Sequence, residues 1–189
     1  YALCMAFSVG TFYALIAGAP LAAKTSFGMQ PATLGMYIGA VTAGYMLGSF
    51  ISGKRAKYYS PPIMIMGGRA IALAGPLIAL ILAVLVFEHP LAVFGPCILI
   101  GIGNGLTSPS ANAGVMSVRP GFAGSAAGLA GAITVAGGAV FSSFTAAVIT
   151  EKNAVIITLS VMLVATLFAL IAGLWAYFLD AEENLDSAN

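Results

Sequence analysis

Charged residues are scarce in this chain of 189 residues, and their scarcity excludes several classes of protein. Only 7% of the residues are charged, with seven Lys or Arg, six Asp or Glu and one His, whereas soluble domains average roughly 25%. A soluble particle would lack the polar surface it needs. Disorder requires low hydrophobicity and high charge, and nucleic-acid binding requires a basic face. A composition that is 60% hydrophobic with a net charge of +1 excludes both.

Reactive side chains are also few. The two cysteines, Cys4 and Cys97, both lie inside apolar runs, where they form neither a disulfide framework nor a metal cluster. No histidines or acids cluster in the sequence, and no nucleophile has a nearby base, although membrane enzymes usually need such groups. We therefore expect no catalytic residues, no metal and no cofactor.

Long apolar runs are what the sequence does contain. A membrane-spanning helix needs about 20 apolar residues, and six runs reach that length. They cover approximately residues 2–23, 33–53, 62–87, 91–118, 121–149 and 154–179. The alternating pattern of a membrane β-barrel is missing from runs such as residues 78–87. The sequence predicts an all-α bundle of six transmembrane helices over residues 1–179, followed by an acidic tail over 180–189.

Positive charges are concentrated in two of the five breaks between these runs. The second break contains Lys54, Arg55 and Lys57 and the fourth contains Arg119, whereas the first and fifth hold one lysine each. Cytoplasmic loops are enriched in Lys and Arg, so we expect the even breaks and both chain ends to be cytoplasmic. The chain begins with Tyr1 inside an apolar run and without a signal peptide, so we expect it to be an excerpt of a longer protein.

Small residues recur every four positions on two predicted helices. The second helix carries Ala40, Gly44, Gly48 and Ser52, and the fifth carries Gly124, Gly128 and Ala132. Such ladders let helix backbones approach closely. Two flat faces on different helices suit a sliding contact with a second bundle. Packing inside the bundle is the alternative.

The fourth predicted helix carries a polar stripe. Asn104, Ser108 and Asn112 are four residues apart and therefore share one helical face. Polar groups facing lipid are costly, so the stripe faces either a water-filled substrate cavity or polar groups on neighbouring helices. Pro109 interrupts this helix and frees the carbonyl of Gly105, and broken helices are a device of transporter sites.

Arg69 is the exceptional ionisable residue, because it lies inside a span, seven residues past Pro62. At about 1.5 Å per residue it is roughly 10 Å along the helix. We expect its side chain to snorkel to the cytoplasmic surface or to form a structural pair, and a substrate or gating role is the alternative. No carboxylate lies near the middle of a span, so the sequence contains no obvious proton carrier.

The motifs resemble a known family. Residues 96–113 are similar to the tenth helix of major facilitator superfamily drug/proton antiporters, and residues 123–131 are similar to the start of their eleventh. The bicyclomycin and chloramphenicol resistance type resembles the chain most, and Ala19-Pro20 resembles the end of its seventh helix. Gly48 to Lys57 is similar to a degenerate copy of the family's loop signature, although Ser52-Gly53 replaces its acidic residue. The resemblance covers the whole chain as helices seven to twelve.

The resemblance implies the carboxyl-terminal half of a proton-coupled drug exporter in the bacterial cytoplasmic (inner) membrane. Its partners would be a small apolar or cationic substrate, the lipid bilayer and the missing amino-terminal half, which carries the proton-binding acids. The family's cavity is lined by the helices that match spans one, two, four and five. The helices that match spans two and five border the opposite half, so the resemblance implies that Gly44, Gly48, Gly124 and Gly128 lie toward that half. Lys54 and Arg55 would have a gating or structural role in the loop.

Four aromatic residues complete the predicted substrate surface. Aromatic rings suit large apolar or cationic ligands, and core or lipid contact is the alternative for each ring. The residues are Phe12, Tyr13, Tyr37 and Tyr45. Three other functions stay open from the sequence: a half-size carrier that acts as a homodimer, a non-transporting membrane scaffold or subunit, and, more distantly, a membrane enzyme.

Overall fold

The computed structural model describes residues 1–85, 89–117 and 120–186, with the backbone alone at 120 and 181–186. Within these ranges the chain is all-helical, which confirms the predicted fold class. The α-helices are α1 (Ala2–Phe27), α2 (Pro31–Arg55), α3 (Pro61–Leu85), α4 (Pro90–Phe94), α5 (Ile98–Ser117), α6 (Ala123–Val148) and α7 (Ala154–Asp186), and a 3-10 turn covers Pro120–Phe122.

Six segments of the described chain are long and apolar enough to cross a membrane. Five are single helices, and the sixth, Pro90–Ser117, consists of α4 and α5 together. Their 18-residue windows reach a mean hydropathy between 1.4 and 2.7. The predicted bundle of six transmembrane helices is therefore confirmed, and the chain is an integral membrane protein.

Proline and glycine set several helix ends. Pro31 and Pro90 occupy the first turns of α2 and α4, where a missing N–H costs nothing. Gly28 ends α1 with a φ of 56°, and its N–H bonds to the carbonyl of Lys24. This left-handed conformation favours glycine, because in any other residue the Cβ would lie too close to the following carbonyl oxygen. The connection between α1 and α2 is consequently short.

The fourth span departs from its prediction. Gly95, Pro96 and Cys97 break it into α4 and α5, joined by hydrogen bonds between residues three apart, such as the Ile98 N–H with the Gly95 carbonyl (3.1 Å). Pro96 supplies no N–H, so the regular helix ends there. The expected interruption at Pro109 is wrong, because α5 is continuous through that residue.

The helices pack around a core of small side chains. α5 contacts α2 and α3 extensively, α1 contacts α6 and α7, and α3 also contacts α7. Ala14, Ala72, Ala79 and Ala165 are completely buried, which allows close helix packing. α2 and α6 lie at the flanks, since only 22% and 17% of their most apolar stretches are buried.

The two ends of the described chain meet on one side of the bundle. The Tyr1 hydroxyl donates to a carboxylate oxygen of Asp180 at 3.2 Å, as an even number of crossings requires. The sequence predicts a separate acidic tail from residue 180, but α7 continues to Asp186. Alanine, leucine and glutamate in this segment favour helix. The last three residues of that tail, 187–189, lie outside the described residues.

Candidate ligand cavity and the buried arginine

A cavity of about 290 Å³ lies between three helices. Its lining consists of Val9 and Phe12 from α1, Val41, Thr42 and Tyr45 from α2, and Gly101, Asn104 and Ser108 from α5. None of these side chains is charged, and most of the wall is apolar. Ligand sites are typically concave and apolar with a few convergent polar groups, which describes this cavity.

Interlocked glycines bring α2 and α5 together beside the cavity. A Cβ atom on Gly48 would lie 2.2 Å from the carbonyl oxygen of Ile102, and one on Gly101 would lie 2.0 Å from that of Val41. A Cβ on Gly44 would lie 2.8 Å from the carbonyl oxygen of Ile98. Such approaches exclude any larger side chain and fix the spacing between the two cavity walls.

The small-residue ladder of α2 is therefore internal. Gly44 and Gly48 are buried against α5 of the same chain, so their predicted place toward a second bundle is wrong. Gly124 and Gly128 on α6 differ, because both are exposed and a Cβ at either would meet nothing within 4 Å. For these two glycines an interface with another bundle stays a prediction.

Asn104 belongs both to the cavity wall and to a hydrogen-bond network. It lines the cavity and is 6% exposed. Its Oδ1 accepts from Arg69 Nη2 at 2.8 Å, and its Nδ2 donates to the Ser8 carbonyl oxygen at 3.1 Å. Both alternatives therefore apply to Asn104: it lines the cavity, and it forms hydrogen bonds between helices.

Arg69 is completely buried and joins three helices. Its Nε donates to Thr107 Oγ1 at 2.9 Å, its Nη2 also donates to the Gly103 carbonyl oxygen at 3.1 Å, and its Nη1 donates to Ser8 Oγ. Together with Asn104 these acceptors occupy four of its five N–H donors. The expected snorkelling to the surface is wrong, because neighbouring helices satisfy the guanidinium where it stands.

Glycines on the neighbouring helices leave space for the Arg69 side chain, and the close packing of their backbones encloses it. A Cβ on Gly103 would lie 2.3 Å from the carbonyl oxygen of Gly68, so α3 and α5 touch beside Arg69. On the other side, a Cβ on Gly173 of α7 would lie 3.6 Å from Arg69 Cγ. Glycines on three helices thus let the cation sit where water does not reach.

The polar stripe of α5 divides between two environments. Asn104 and Ser108 line the cavity, whereas Asn112, one turn further along, is exposed and outside it. Pro109 leaves the Gly105 carbonyl without a helical donor, and Ser49 Oγ donates to that oxygen at 3.3 Å. The predicted free carbonyl is thus used in packing α5 against α2.

The aromatic predictions also divide. Phe12 and Tyr45 line the cavity, but Tyr13 lies against Gly138 of α6, and Tyr37 packs on Phe94 with ring centroids 5.5 Å apart. Consecutive helical residues point about 100° apart, and on α1 this turns Tyr13 toward α6 while Phe12 faces the cavity. The prediction is wrong for Tyr13 and Tyr37 at this site.

Lys54 and Arg55 lie at the end of α2, away from the cavity. Lys54 Nζ is 4.4 Å from the centroid of the Phe50 ring, and the Arg55 guanidinium carbon is 5.9 Å from that of Tyr59. Cations in the last turn of a helix interact favourably with its dipole. A stabilising role follows from this position, and a gating role stays a prediction. Arg119 lies outside the described residues.

Sequence reasoning missed the partners of Arg69. Ser8 lies in an apolar run and Thr107 stands directly before Ser108, and neither is recognisable from sequence alone as the partner of a cation. A buried cation needs acceptors, so mid-span hydroxyls on other helices were the available signal. Thr42 was missed too, although it lies one residue after the cavity-lining Val41.

Comparison with known protein families finds no family that matches the chain, and comparison with curated proteins finds no matching relative either. The resemblance to major facilitator antiporters stays a prediction from the motifs quoted above.

Proposed function

We propose that this chain is one half of a secondary transporter, which moves a small solute through the cavity between α1, α2 and α5. The observation that carries the proposal is a ligand-sized cavity in a six-span membrane bundle, with Asn104 and Ser108 on its wall. Polar groups in such a position are costly unless protein or water satisfies them. A cavity that admits an aqueous solute supplies that environment.

The proposed mechanism is alternating access. This bundle would rock against a second one, as in transporters built from repeats. The network around Arg69 links α1, α3 and α5, so these helices move as one body. The exposed, flat stretch of α6 at Gly124 and Gly128 is the proposed contact with the other bundle.

The finer proposal follows the sequence resemblance. We propose the carboxyl-terminal half of a major facilitator drug/proton antiporter in the bacterial cytoplasmic membrane, with both chain ends in the cytoplasm. The solute is small and largely apolar, since Phe12, Val41 and Tyr45 dominate the wall while Thr42 and Ser108 offer hydrogen bonds. The lining residues include no carboxylate, so the proton carriers would belong to the amino-terminal half.

Cysteine accessibility tests the proposal. Ser108→Cys should react with a membrane-impermeant maleimide in sealed vesicles, because a transport cavity must open to water. Val140→Cys, on a residue that is 66% exposed on the flank of α6, is the control and should stay unreactive in lipid. The native Cys4 and Cys97 are buried and give a low background. An unreactive Ser108→Cys in vesicles of both orientations would refute a solute pathway here.

A further inference from the structure

The charge of Arg69 has no partner of opposite sign among the described residues. Its four acceptors are two hydroxyls, a backbone carbonyl and an amide oxygen. The carboxylates whose side chains are described, Glu151 and Asp180, lie at the ends of the bundle, in the α6–α7 connection and beside Tyr1. Charges inside membranes usually pair with one another or with backbone carbonyls. The acceptors of Arg69 are all neutral, so its charge is not compensated by them.

Asn104 separates the uncompensated charge from the cavity. Its Oδ1 accepts from Arg69, and its side chain forms part of the cavity wall. One of its two amide N–H groups donates to the Ser8 carbonyl, and the other has no acceptor among the described residues. Hydrogen bonds in series polarise one another, so Arg69 makes this amide a stronger donor toward the cavity.

We propose that the cavity selects ligands carrying an anionic group, such as a carboxylate, through the buried charge of Arg69 relayed by Asn104. The ligand's apolar part contacts Phe12 and Tyr45, and its anionic end accepts from the Asn104 amide. The inference rests on the proposed transport function and departs from the expected apolar or cationic substrate. Because no lining side chain is charged, Arg69 decides the sign of the potential.

The first test measures that potential with charged thiol reagents. Ser108→Cys is treated with anionic sulfonatoethyl and cationic trimethylammonioethyl methanethiosulfonates, and the ratio of their rates is divided by the same ratio at Thr150→Cys. Thr150 is exposed beside one acid and one base, Glu151 and Lys152, so its surroundings are close to neutral. The corrected ratio should favour the anionic reagent by roughly two hundredfold, because one charge roughly 10 Å away at an effective dielectric constant near 20 speeds the anionic reagent and slows the cationic one by more than about tenfold each.

Variants of Arg69 test whether its charge causes the preference for the anionic reagent. Arg69→Gln should bring the corrected ratio close to one, and Arg69→Lys should keep the preference for the anionic reagent. If neither variant folds, the ratio in the unsubstituted background still decides. A ratio at or below one in that background would overturn the proposal.

The second test uses three ligands that share a ring and differ in charge. Benzoate, benzamide and benzylammonium compete with the neutral reagent N-ethylmaleimide at Ser108→Cys at neutral pH. Benzoate should protect best and benzylammonium least, and Arg69→Gln should weaken protection by benzoate about tenfold. Equal or better protection by benzylammonium would overturn the anionic preference while leaving a transport cavity intact. A Ser108→Cys that reacts with no reagent would refute the proposed function itself.

Membrane composition identifies the source of the anionic group. The protection assay is run in phosphatidylcholine vesicles and again with phosphatidylglycerol added. Slower alkylation on adding phosphatidylglycerol alone would assign the site to a lipid headgroup. Unchanged alkylation together with protection by benzoate would assign it to a free solute.

Discussion

At the scale of single residues, hydroxyl groups in this bundle serve two different purposes. Thr107 accepts a hydrogen bond from Arg69 on another helix, whereas Thr166 donates only to carbonyls of its own helix. Both are almost fully buried. Hydrogen bonds to charged groups contribute more than neutral ones, so the two threonines differ in energy although they look alike in sequence.

Thr107→Val should therefore destabilise the protein by about 1–2 kcal/mol, since Arg69 Nε loses its acceptor in a buried site. Thr166→Val has the same change of shape and should cost less than about 0.6 kcal/mol, the average for hydrogen bonds between membrane helices, because its bonds lie within its own helix. Equilibrium unfolding in mixed micelles measures both. Equal losses would show that the bond from Arg69 adds nothing to stability.

The glycines of α2 allow a similar comparison. Gly48→Ala places a methyl group 2.2 Å from the Ile102 carbonyl and should cost about 1–3 kcal/mol through overpacking. Gly39→Ala, on the same helix with nothing within 4 Å, should be neutral or up to about 1 kcal/mol stabilising, because alanine favours helix. Thermal unfolding in detergent compares the stabilities of the two variants, and equal stabilities would contradict the tight α2–α5 contact.

The residues of the site were predictable only in part. Asn104 and Ser108 followed from spacing on one helix, because periodicity reports which residues share a face. The contacts of Arg69 with Ser8 and Thr107 join residues 61 and 38 positions apart, and periodicity within a helix contains no information on such pairs. The same gap explains why the α2 ladder was assigned to the wrong surface.

At the scale of helices, apolar runs and charged breaks predicted the number of spans. The break at Gly95–Cys97 and the continuation of α7 to Asp186 were not predicted. Hydropathy does not detect a turn inside an apolar run, and it ends a span at the first acids even when their helix propensity continues the helix.

The end of α1 provides a prediction at this scale. Gly28→Ala should lower stability by about 1–2 kcal/mol, because its φ of 56° is unfavourable for a residue with a Cβ. Gly28→Asn should cost less, since asparagine tolerates this conformation. No neighbour lies within 4 Å of an added Cβ, so any loss reports backbone strain alone. Thermal unfolding that is unchanged in both variants would contradict the left-handed end of α1.

At the scale of the whole molecule, the bundle has a well-packed centre and two less covered flanks. α1 and the α4–α5 span are 56% buried in their most apolar stretches, against 22% for α2 and 17% for α6. Large side chains such as Leu129, Val135 and Phe144 are exposed on α6. In a membrane, lipid or a second bundle covers such surfaces. The homodimeric carrier and the two-half transporter both place another bundle there, and native mass measurement in detergent separates them.

The small stretch of α6 at Gly124 and Gly128 distinguishes lipid from a partner bundle. Lipid accepts an added side chain without loss, whereas a sliding helix contact at a small-residue ladder does not. Gly128→Leu should therefore leave the unfolding temperature unchanged, since nothing lies within 4 Å of its Cβ, but should slow efflux of an aromatic carboxylate such as benzoate from cells that make the protein. Gly48→Leu, buried against α5, should lose folded protein and efflux together. Normal efflux by Gly128→Leu would assign this face of α6 to lipid and would move the proposed contact between bundles elsewhere.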